Sequence, residues 1–171
     1  DAGSWFDPKF SGEKVPTLGE VLDLVWGKAL TLIEIKPDDI SNSVVKAVEK
    51  YDAIDEVVIQ SFYPKVVKEV RAINPNIPTS LLVGGIRFIK KRRQGVKLVQ
   101  KAIENNANAL SIPFGVVSPE LVEEVHRHGL IVWTWTVNEL SDIKEMIKAG
   151  VDGVISDCPE KIGSRETDFR P

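Results

Sequence analysis

The length and charge of the chain limit the kinds of protein it can be. Its 171 residues, 43% of them hydrophobic, are enough for one core, and we expect a single domain over residues 1–171. The formal net charge of -3 argues against a nucleic-acid binder, whose affinity comes from neutralising phosphates. No apolar run reaches the ~18 to 20 residues that a membrane span requires. A small polar solute is therefore the expected partner, and the oligomeric state stays open.

The cysteine content gives an expectation about the compartment. Cys158 is the only cysteine, so it cannot form a disulfide within the chain. The first residues also lack the basic segment followed by an apolar segment that marks a secretory signal. We therefore expect a cytoplasmic protein.

Helical and strand patterns alternate along the chain. Residues 1–15 combine glycine, proline and charge with three aromatic residues and predict a loop. Thr17 and Glu20 form a capping-box pattern that begins the first helix, which Gly27 ends. The patterns that follow predict strand 30–37, helix 41–51, strand 57–62, helix 63–73, strand 79–83, helix 95–106, strand 109–112, helix 118–128 with Ser118 as its cap, strand 130–137, helix 139–148 with Asn138 as its cap, and strand 153–157.

This alternation predicts a parallel α/β sheet, either open and doubly wound or closed into a (β/α) barrel. No Gly-x-Gly-x-x-Gly follows any predicted strand, so the dinucleotide-binding form of the open sheet has no support. Polar residues gather where strands end, as in a barrel active site. They are Glu34 and Lys36, Gln60 and Ser61, Thr134 and Thr136, and Ser156 and Asp157. The residues favour a barrel, although about six strands are present and a barrel needs eight.

The strand Leu-Thr-Leu-Ile-Glu-Ile-Lys-Pro carries the most informative residue. Side chains alternate along a strand, so Leu32, Glu34 and Lys36 share one face. A carboxylate in an apolar strand is costly unless a cation, a metal or a substrate pairs with it. The alternative is that Glu34 and Lys36 pair with each other or with neighbours at the strand end.

Three other features have structural explanations. His126 and His128 lie at the end of a helix, where a partial positive charge is favourable, and we expect no catalytic role for them. The basic residues within 87–93 could hold a lipid headgroup or an acidic partner, but a solvated segment is the expected state. Trp133 and Trp135 share one face and could fill the core, with Trp135 reaching the mouth of a barrel.

Five segments, in this order and at these intervals, resemble the glycerophosphodiester phosphodiesterases. They are PTLGEVLDLV, LTLIEIKP, VVIQSF, VWTWTVN and AGVDGVISDCP. The resemblance covers nearly the whole chain. It implies a (β/α)₈ TIM barrel that hydrolyses glycerophosphodiesters to glycerol 3-phosphate and an alcohol, with a divalent cation, Mg²⁺ or Ca²⁺, as cofactor.

The resemblance also implies roles for five residues. Glu34, in the Ile-Glu-Ile-Lys strand, matches a metal ligand of the family, and Lys36 matches a catalytic residue that faces the phosphate. Ser61, Phe62 and Trp135 match residues that line the pocket for the organic part of the diester. The loop that carries Asp-Ala-Gly-Ser-Trp-Phe would lie near the mouth of the barrel.

The sequence departs from the family in its first part. The family's His-Arg-Gly strand, its Glu-x-Asp metal ligands and its His-Asp pair do not occur. They belong to the first two βα units, so the resemblance implies that this chain holds about strands 3 to 8 and is inactive by itself. Two alternatives stay open. One is a noncatalytic barrel remnant that binds a phosphorylated ligand, and the other is a related metal-dependent phosphodiesterase of different specificity.

Overall fold

The fold is a six-stranded parallel sheet with helices on one face. The computed structural model describes residues 1–84 and 92–162, and of residues 92–94 it describes the backbone alone. The strands are β1 Thr31–Glu34, β2 Val57–Ser61, β3 Thr79–Leu82, β4 Ala109–Pro113, β5 Ile131–Trp135 and β6 Gly153–Val154. The helices are α1 Leu18–Val25, α2 Ser41–Lys50, α3 Pro64–Ile73, α4 Arg92–Glu104, α5 Pro119–His126 and α6 Leu140–Ala149.

Strand order follows chain order across the whole sheet. Each strand pairs in parallel with the next, so that the order is β1-β2-β3-β4-β5-β6. A doubly wound sheet would reverse its order at a switch point, and this one does not. The sheet instead curls like part of a βα barrel, which confirms the predicted class of fold in its coarser form.

Two helix starts agree with the sequence prediction and two differ from it. Thr17 and Glu20 form the predicted capping box, and Ser118 caps α5. The backbone N–H of Thr17 donates to the Glu20 carboxylate at 2.7 Å, and this bond lowers the pKa of Glu20. Asn138 is not a cap, because α6 begins at Leu140 and is preceded by Glu139 without a side-chain bond. The predicted start of a helix at Gly95 was also wrong, since α4 already includes Arg92.

The core lies between the helices and the convex face of the sheet. One cluster joins α2 and α3 to β2, with Val45, Val66 and Ile59 almost fully buried. The other joins α4, α5 and α6 to β4 and β5, with Leu110 and Val132 at its centre. Apolar burial of this extent is the main stabilising term of the fold.

The concave face of the sheet encloses an open space, here called the hollow. One part of the hollow is an apolar cavity of about 200 Å³. Leu30, Thr31, Leu32, Val58, Trp133, Gly153, Val154 and Ile155 line this cavity. These residues come from both edge strands, β1 and β6, as well as from β2 and β5. Leu30 and Leu32 nevertheless stay 69% and 37% exposed, because no described strand pairs with the outer edge of β1.

The contact between α1 and α2 gives a test of the packing. A Cβ at buried Gly19 would lie 2.3 Å from the Tyr51 hydroxyl and 2.4 Å from its ring. We expect Gly19→Ala to lower the free energy of unfolding by about 1–3 kcal/mol, the usual cost of overpacking. Thermal unfolding measures this effect. Gly115→Ala is the control, since nothing lies within 4 Å of its added Cβ. Equal melting temperatures for both variants would contradict the described packing.

Candidate active site

Glu34 and Lys36 form an ion pair at the carboxyl end of β1. Glu34 is the last residue of the strand, and Lys36 follows the point where the strand ends. The Lys36 Nζ lies 2.8 Å from the Glu34 Oε1, so these two residues pair with each other, as the alternative interpretation of the sequence allowed. The Glu34 and Lys36 side chains are 29% and 76% exposed. A pair this exposed adds only about 0–1 kcal/mol to stability, so both charges stay available to a ligand.

Glu34 offers a carboxylate oxygen toward the hollow. It lies two residues after Leu32, which lines the hollow, so both side chains project from the same face of β1. None of the residues in 1–84 and 92–162 donates a hydrogen bond to its second oxygen, Oε2. Within those ranges no three His, Cys, Asp or Glu side chains form a metal-binding group. Oxygen is the donor type that Mg²⁺ and Ca²⁺ require, so the described residues fit such a cation with one protein ligand.

Phe62 and Trp135 meet at the same end of the sheet. Their ring centroids are 5.8 Å apart with the planes at 87°, an edge-to-face contact. Phe62 is 43% exposed, and Gly84 leaves room for it, since a Cβ there would lie 2.9 Å from the ring. The Nε1 of Trp135 is buried without a hydrogen-bond partner in the described part of the chain. The structure thus joins two of the three residues predicted to bind the organic part of a substrate, and that role stays a prediction.

Ser61 has a different environment from Phe62 and Trp135. It is fully buried, and its hydroxyl donates to the Ile35 carbonyl at 2.7 Å and accepts from the Tyr63 backbone N–H at 3.1 Å. Its strand position alternates with Gln60, so it belongs to the helix-covered face of the sheet. The hydroxyl fastens the end of β1 to the end of β2. A direct contact with substrate stays a prediction that no observed contact supports.

A buried polar chain crosses three strands of the concave face. The Ser80 and Ser111 hydroxyls are 2.8 Å apart, and Ser111 donates to the Gln60 Oε1 at 3.2 Å. Ser80 and Ser111 are fully buried, and Gln60 is 7% exposed. The sequence placed Gln60 among the polar residues at strand ends but predicted nothing for the two serines. The available signal was a serine beside the leucines of β3 and another inside the otherwise apolar β4.

Asn138 holds the carboxyl ends of β5 and β6 together. Its Oδ1 accepts from the Asp157 backbone N–H at 2.9 Å and from the Ser156 hydroxyl at 3.2 Å. Its Nδ2 donates to the Asp157 carboxylate at 2.9 Å. Because Asn138 follows Trp135 by three residues, these bonds also anchor the segment that positions the indole ring.

The two histidines lie at the end of α5, away from Glu34. The His126 Nε2 is 2.8 Å from a carboxylate oxygen of Asp152, which precedes β6. That same oxygen accepts from the Val132 backbone N–H near the start of β5. His128 contacts the Glu124 carbonyl one turn earlier. Both histidines therefore lie near the amino ends of strands, where the sequence predicted a structural role.

The basic cluster falls mostly outside the described residues. Arg87, Lys90 and Lys91 are not described, and Arg92 and Arg93 are known only as backbone in α4. The choice between a solvated segment and a binding patch stays a prediction.

Fold and site together define a class of protein. The strands follow chain order in a curled parallel sheet, helices cover its convex face, and charged and aromatic side chains meet at its carboxyl end. This is the arrangement of a βα-barrel enzyme. The chain belongs to the glycerophosphoryl diester phosphodiesterase family, whose pattern it matches over residues 1–161. The predicted family is thereby confirmed.

Individual relatives are longer than this chain. It is 35% identical over 169 residues to a glycerophosphodiester phosphodiesterase of Caldanaerobacter subterraneus. This match covers 95% of this chain and 66% of the relative. Identity to the glycerophosphodiester phosphodiesterase of Bacillus subtilis is 29%, covering 94% of this chain and 59% of the relative. The chain therefore spans just under two thirds of the first relative and less of the second.

Solved structures share the fold. A crystal structure from Silicibacter pomeroyi, provisionally named a glycerophosphoryl diester phosphodiesterase, has a TM-score of 0.74 and 33% identity. The match covers 86% of this chain and 54% of that protein. A phosphodiesterase of Oleispira antarctica, solved with its product sn-glycerol-3-phosphate, has a TM-score of 0.74 and 24% identity over 95% of this chain and 65% of that protein. The second likeness concerns the fold alone.

The sequence predicts that the chain has no membrane span, and the helices of the structure test this prediction. Within residues 1–84 and 92–162, no helix combines the length and apolar character needed to cross a bilayer. The expected absence of nucleic-acid binding and the expected cytoplasmic location stay predictions.

Proposed function

We propose that the protein to which this chain belongs hydrolyses glycerophosphodiesters to glycerol 3-phosphate and an alcohol. The observation that carries the proposal is the Glu34–Lys36 pair at the carboxyl end of β1, in a chain that belongs to this family. Relatives that carry the enzyme's name and the Oleispira complex with sn-glycerol-3-phosphate support the substrate class. The pair presents one negative and one positive group side by side, which suits a metal-bound phosphodiester.

Each member of the pair has a separate task in this proposal. Glu34 holds a divalent cation, Mg²⁺ or Ca²⁺, through an oxygen ligand. When bound, such a cation neutralises phosphate charge and polarises the attacking oxygen. Lys36 acts as the catalytic cation, because its ammonium group offsets the charge that develops on the phosphoryl oxygens. Its exposure lets it turn from Glu34 to a bound phosphate.

The aromatic pair is proposed to bind the organic part of the diester. Phe62 and Trp135 offer a perpendicular pair of apolar surfaces at the same end of the sheet as Glu34. Carbon groups of glycerol or of the alcohol can pack on these rings while the phosphate stays with the charged pair. Ser61 helps to position Phe62, since its hydroxyl fixes the strand end that precedes Phe62.

We further propose that two more βα units complete the barrel. The outer edges of β1 and β6 have no partner strand among the described residues, and the apolar cavity between them is open. A barrel of eight strands would close this gap with two. The longer relatives have room for such units. The proton transfers of the reaction, and further metal ligands, would then come from residues outside the present chain.

A second candidate is noncatalytic binding of a phosphorylated ligand. The specific observation in its favour is that His126 pairs with Asp152 near the amino ends of the strands, remote from Glu34. The 171 residues contain no histidine besides these two, and histidine is the most common general acid–base. A phosphodiesterase of different specificity would share the site and differ in the substrates it accepts.

The test uses the protein from its complete reading frame. Release of glycerol 3-phosphate from glycerophosphocholine and glycerophosphoethanolamine is measured with Mg²⁺, with Ca²⁺ and with a chelator. We expect release that depends on the added cation. Binding of glycerol 3-phosphate without hydrolysis would favour the noncatalytic candidate, and cleavage of other diesters alone would favour a different specificity.

Trp135→Ala tests the proposed role of the aromatic pair. We expect the KM for glycerophosphodiesters to rise about 10-fold, since burial of a large aromatic surface is lost, while the KM for an activated aryl phosphodiester changes less. Steady-state kinetics on both substrates measure the difference. Trp133→Ala is the matched control, because that indole packs on Gly153 deeper in the hollow. An equal loss on both substrates with a lower melting temperature would assign Trp135 to the core.

A further inference from the structure

Gln60 occupies an unusual position on the concave face. It lies in β2 directly beside Glu34 of β1 in the strand register, so both side chains project from the same face. It is 7% exposed, although its amide can form several hydrogen bonds. A buried amide of this kind is costly to keep unless its polar atoms have partners. Its partners therefore indicate what it is for.

The oxygen of the Gln60 amide is already engaged. Ser111 donates to Oε1 at 3.2 Å, and the Ser80 hydroxyl is 2.8 Å from that of Ser111. This chain of two fully buried hydroxyls turns the oxygen toward β4. Within residues 1–84 and 92–162, no group accepts a hydrogen bond from Nε2. The amide N–H donors are consequently the part of Gln60 that is left for a ligand.

The neighbouring charges identify what the donors can bind. An N–H group cannot ligate a cation, but it can donate to a phosphoryl oxygen, and such bonds to charged acceptors are among the stronger ones in proteins. The other natural acceptor is the Glu34 carboxylate, whose Oε1 is bonded to Lys36 and whose Oε2 is the proposed ligand of the cation. Lys36 pairs with Glu34, and Gln60 lies beside Glu34 in the strand register, so an anion beside this pair is within the region that the Gln60 donors can serve.

We infer that Gln60 is a ligand-binding residue whose Nε2 donates to an oxygen of the phosphoryl group held beside Glu34 and Lys36. This inference rests on the proposed function and adds a donor to its site. Ser111 and Ser80 act as positioning residues, because their hydroxyls set which end of the amide faces the ligand. The phosphate then interacts with the charged Lys36 ammonium group and accepts a hydrogen bond from the neutral amide of Gln60.

The experiment measures two affinities of the complete protein by isothermal titration calorimetry. The probes are sn-glycerol 3-phosphate in the presence of Mg²⁺, and Mg²⁺ without any phosphate. Gln60→Met keeps the length of the side chain and removes the donor. We expect it to weaken sn-glycerol 3-phosphate about 10-fold, the usual loss for a hydrogen bond to a charged group, while Mg²⁺ affinity stays within about twofold.

Two further variants test the orientation of the amide. Gln60→Glu replaces the donors by an acceptor, so sn-glycerol 3-phosphate is expected to bind more weakly than to Gln60→Met. Ser111→Ala removes the hydroxyl that holds Oε1 and is expected to give a smaller loss than Gln60→Met. Gln100→Glu, on the exposed surface of α4, makes the same chemical change away from the site and should leave both affinities unchanged.

The outcomes separate this inference from the proposed function. Unchanged affinity of Gln60→Met for sn-glycerol 3-phosphate would overturn the inference and leave the proposed function standing. A loss of Mg²⁺ affinity in Gln60→Met would also overturn it, because the amide would then offer its oxygen to the cation. If the wild-type protein binds no sn-glycerol 3-phosphate and cleaves no glycerophosphodiester, both claims fall. Circular dichroism checks that each variant is folded.

Discussion

Replacing Glu34 by Gln is expected to lower metal-dependent hydrolysis of glycerophosphodiesters by about 100-fold or more. Loss of a residue that only orients a metal ligand costs about 10–100-fold, and loss of the ligand itself should cost at least as much. The change removes a negative charge but keeps the shape of the side chain. The Glu34 side chain is 29% exposed and its ion pair with Lys36 contributes little to stability, so the fold should be unaffected.

Turnover of the complete protein at several Mg²⁺ concentrations measures this effect. A shift of activity to higher Mg²⁺ would show that cation binding is what the substitution weakens. Glu145→Gln is the matched control, since this carboxylate is exposed on α6 and has no part in the proposed site. Wild-type turnover of Glu34→Gln at ordinary Mg²⁺ would refute the role of Glu34 as a metal ligand.

The second large effect is expected for residues 1–171 made by themselves. We expect this polypeptide to self-associate and to release no glycerol 3-phosphate. The outer edges of β1 and β6 offer unpaired backbone groups, and the exposed Leu30 and Leu32 add apolar surface beside them. Open strand edges of this kind pair with other chains. Catalysis should fail separately, because Glu34 is the one proposed metal ligand among residues 1–84 and 92–162, where no larger metal-binding group occurs, and both histidines lie elsewhere.

Sedimentation velocity and a glycerol 3-phosphate assay measure the two effects side by side. Leu32→Lys places a charge beside the edge of β1 and is expected to reduce self-association, whereas Ile73→Lys, at the end of α3, is a control of the same type. A monodisperse and active wild-type polypeptide would contradict both the open barrel and the need for residues outside it. Recovery of activity on adding the two proposed βα units as a separate chain would support both.

Much of the fold follows from local patterns in the sequence. Thr17 with Glu20, and Ser118 before Pro119, begin helices as predicted, because caps satisfy backbone groups within one turn. The predicted β2, residues 57–62, differs from the observed Val57–Ser61 by one residue. Strand and helix alternation also indicated the class of sheet, since parallel strands need helical crossovers.

Local patterns were insufficient where a side chain had a choice of partners. Asn138 resembles a helix cap, but it bonds instead to Ser156 and Asp157, which lie nearly 20 residues further along the chain. The sequence predicted that Glu34 and Lys36 share one face of a strand, where residues two apart are separated by about 7 Å. The strand ends at Glu34, and the chain beyond it lets the two charged atoms meet at 2.8 Å.

The sequence by itself determined the order of the elements and the family, and it singled out Glu34 and Lys36 as candidate site residues. These follow from hydrophobic period and from motifs that are contiguous in the chain. Only the tertiary structure decided that Phe62 meets Trp135, that Ser61 turns away from both, and that Ser111 orients Gln60 from 51 residues away. The physical reason is that strand register and sheet curvature select these neighbours, and both depend on how the whole sheet packs against its helices.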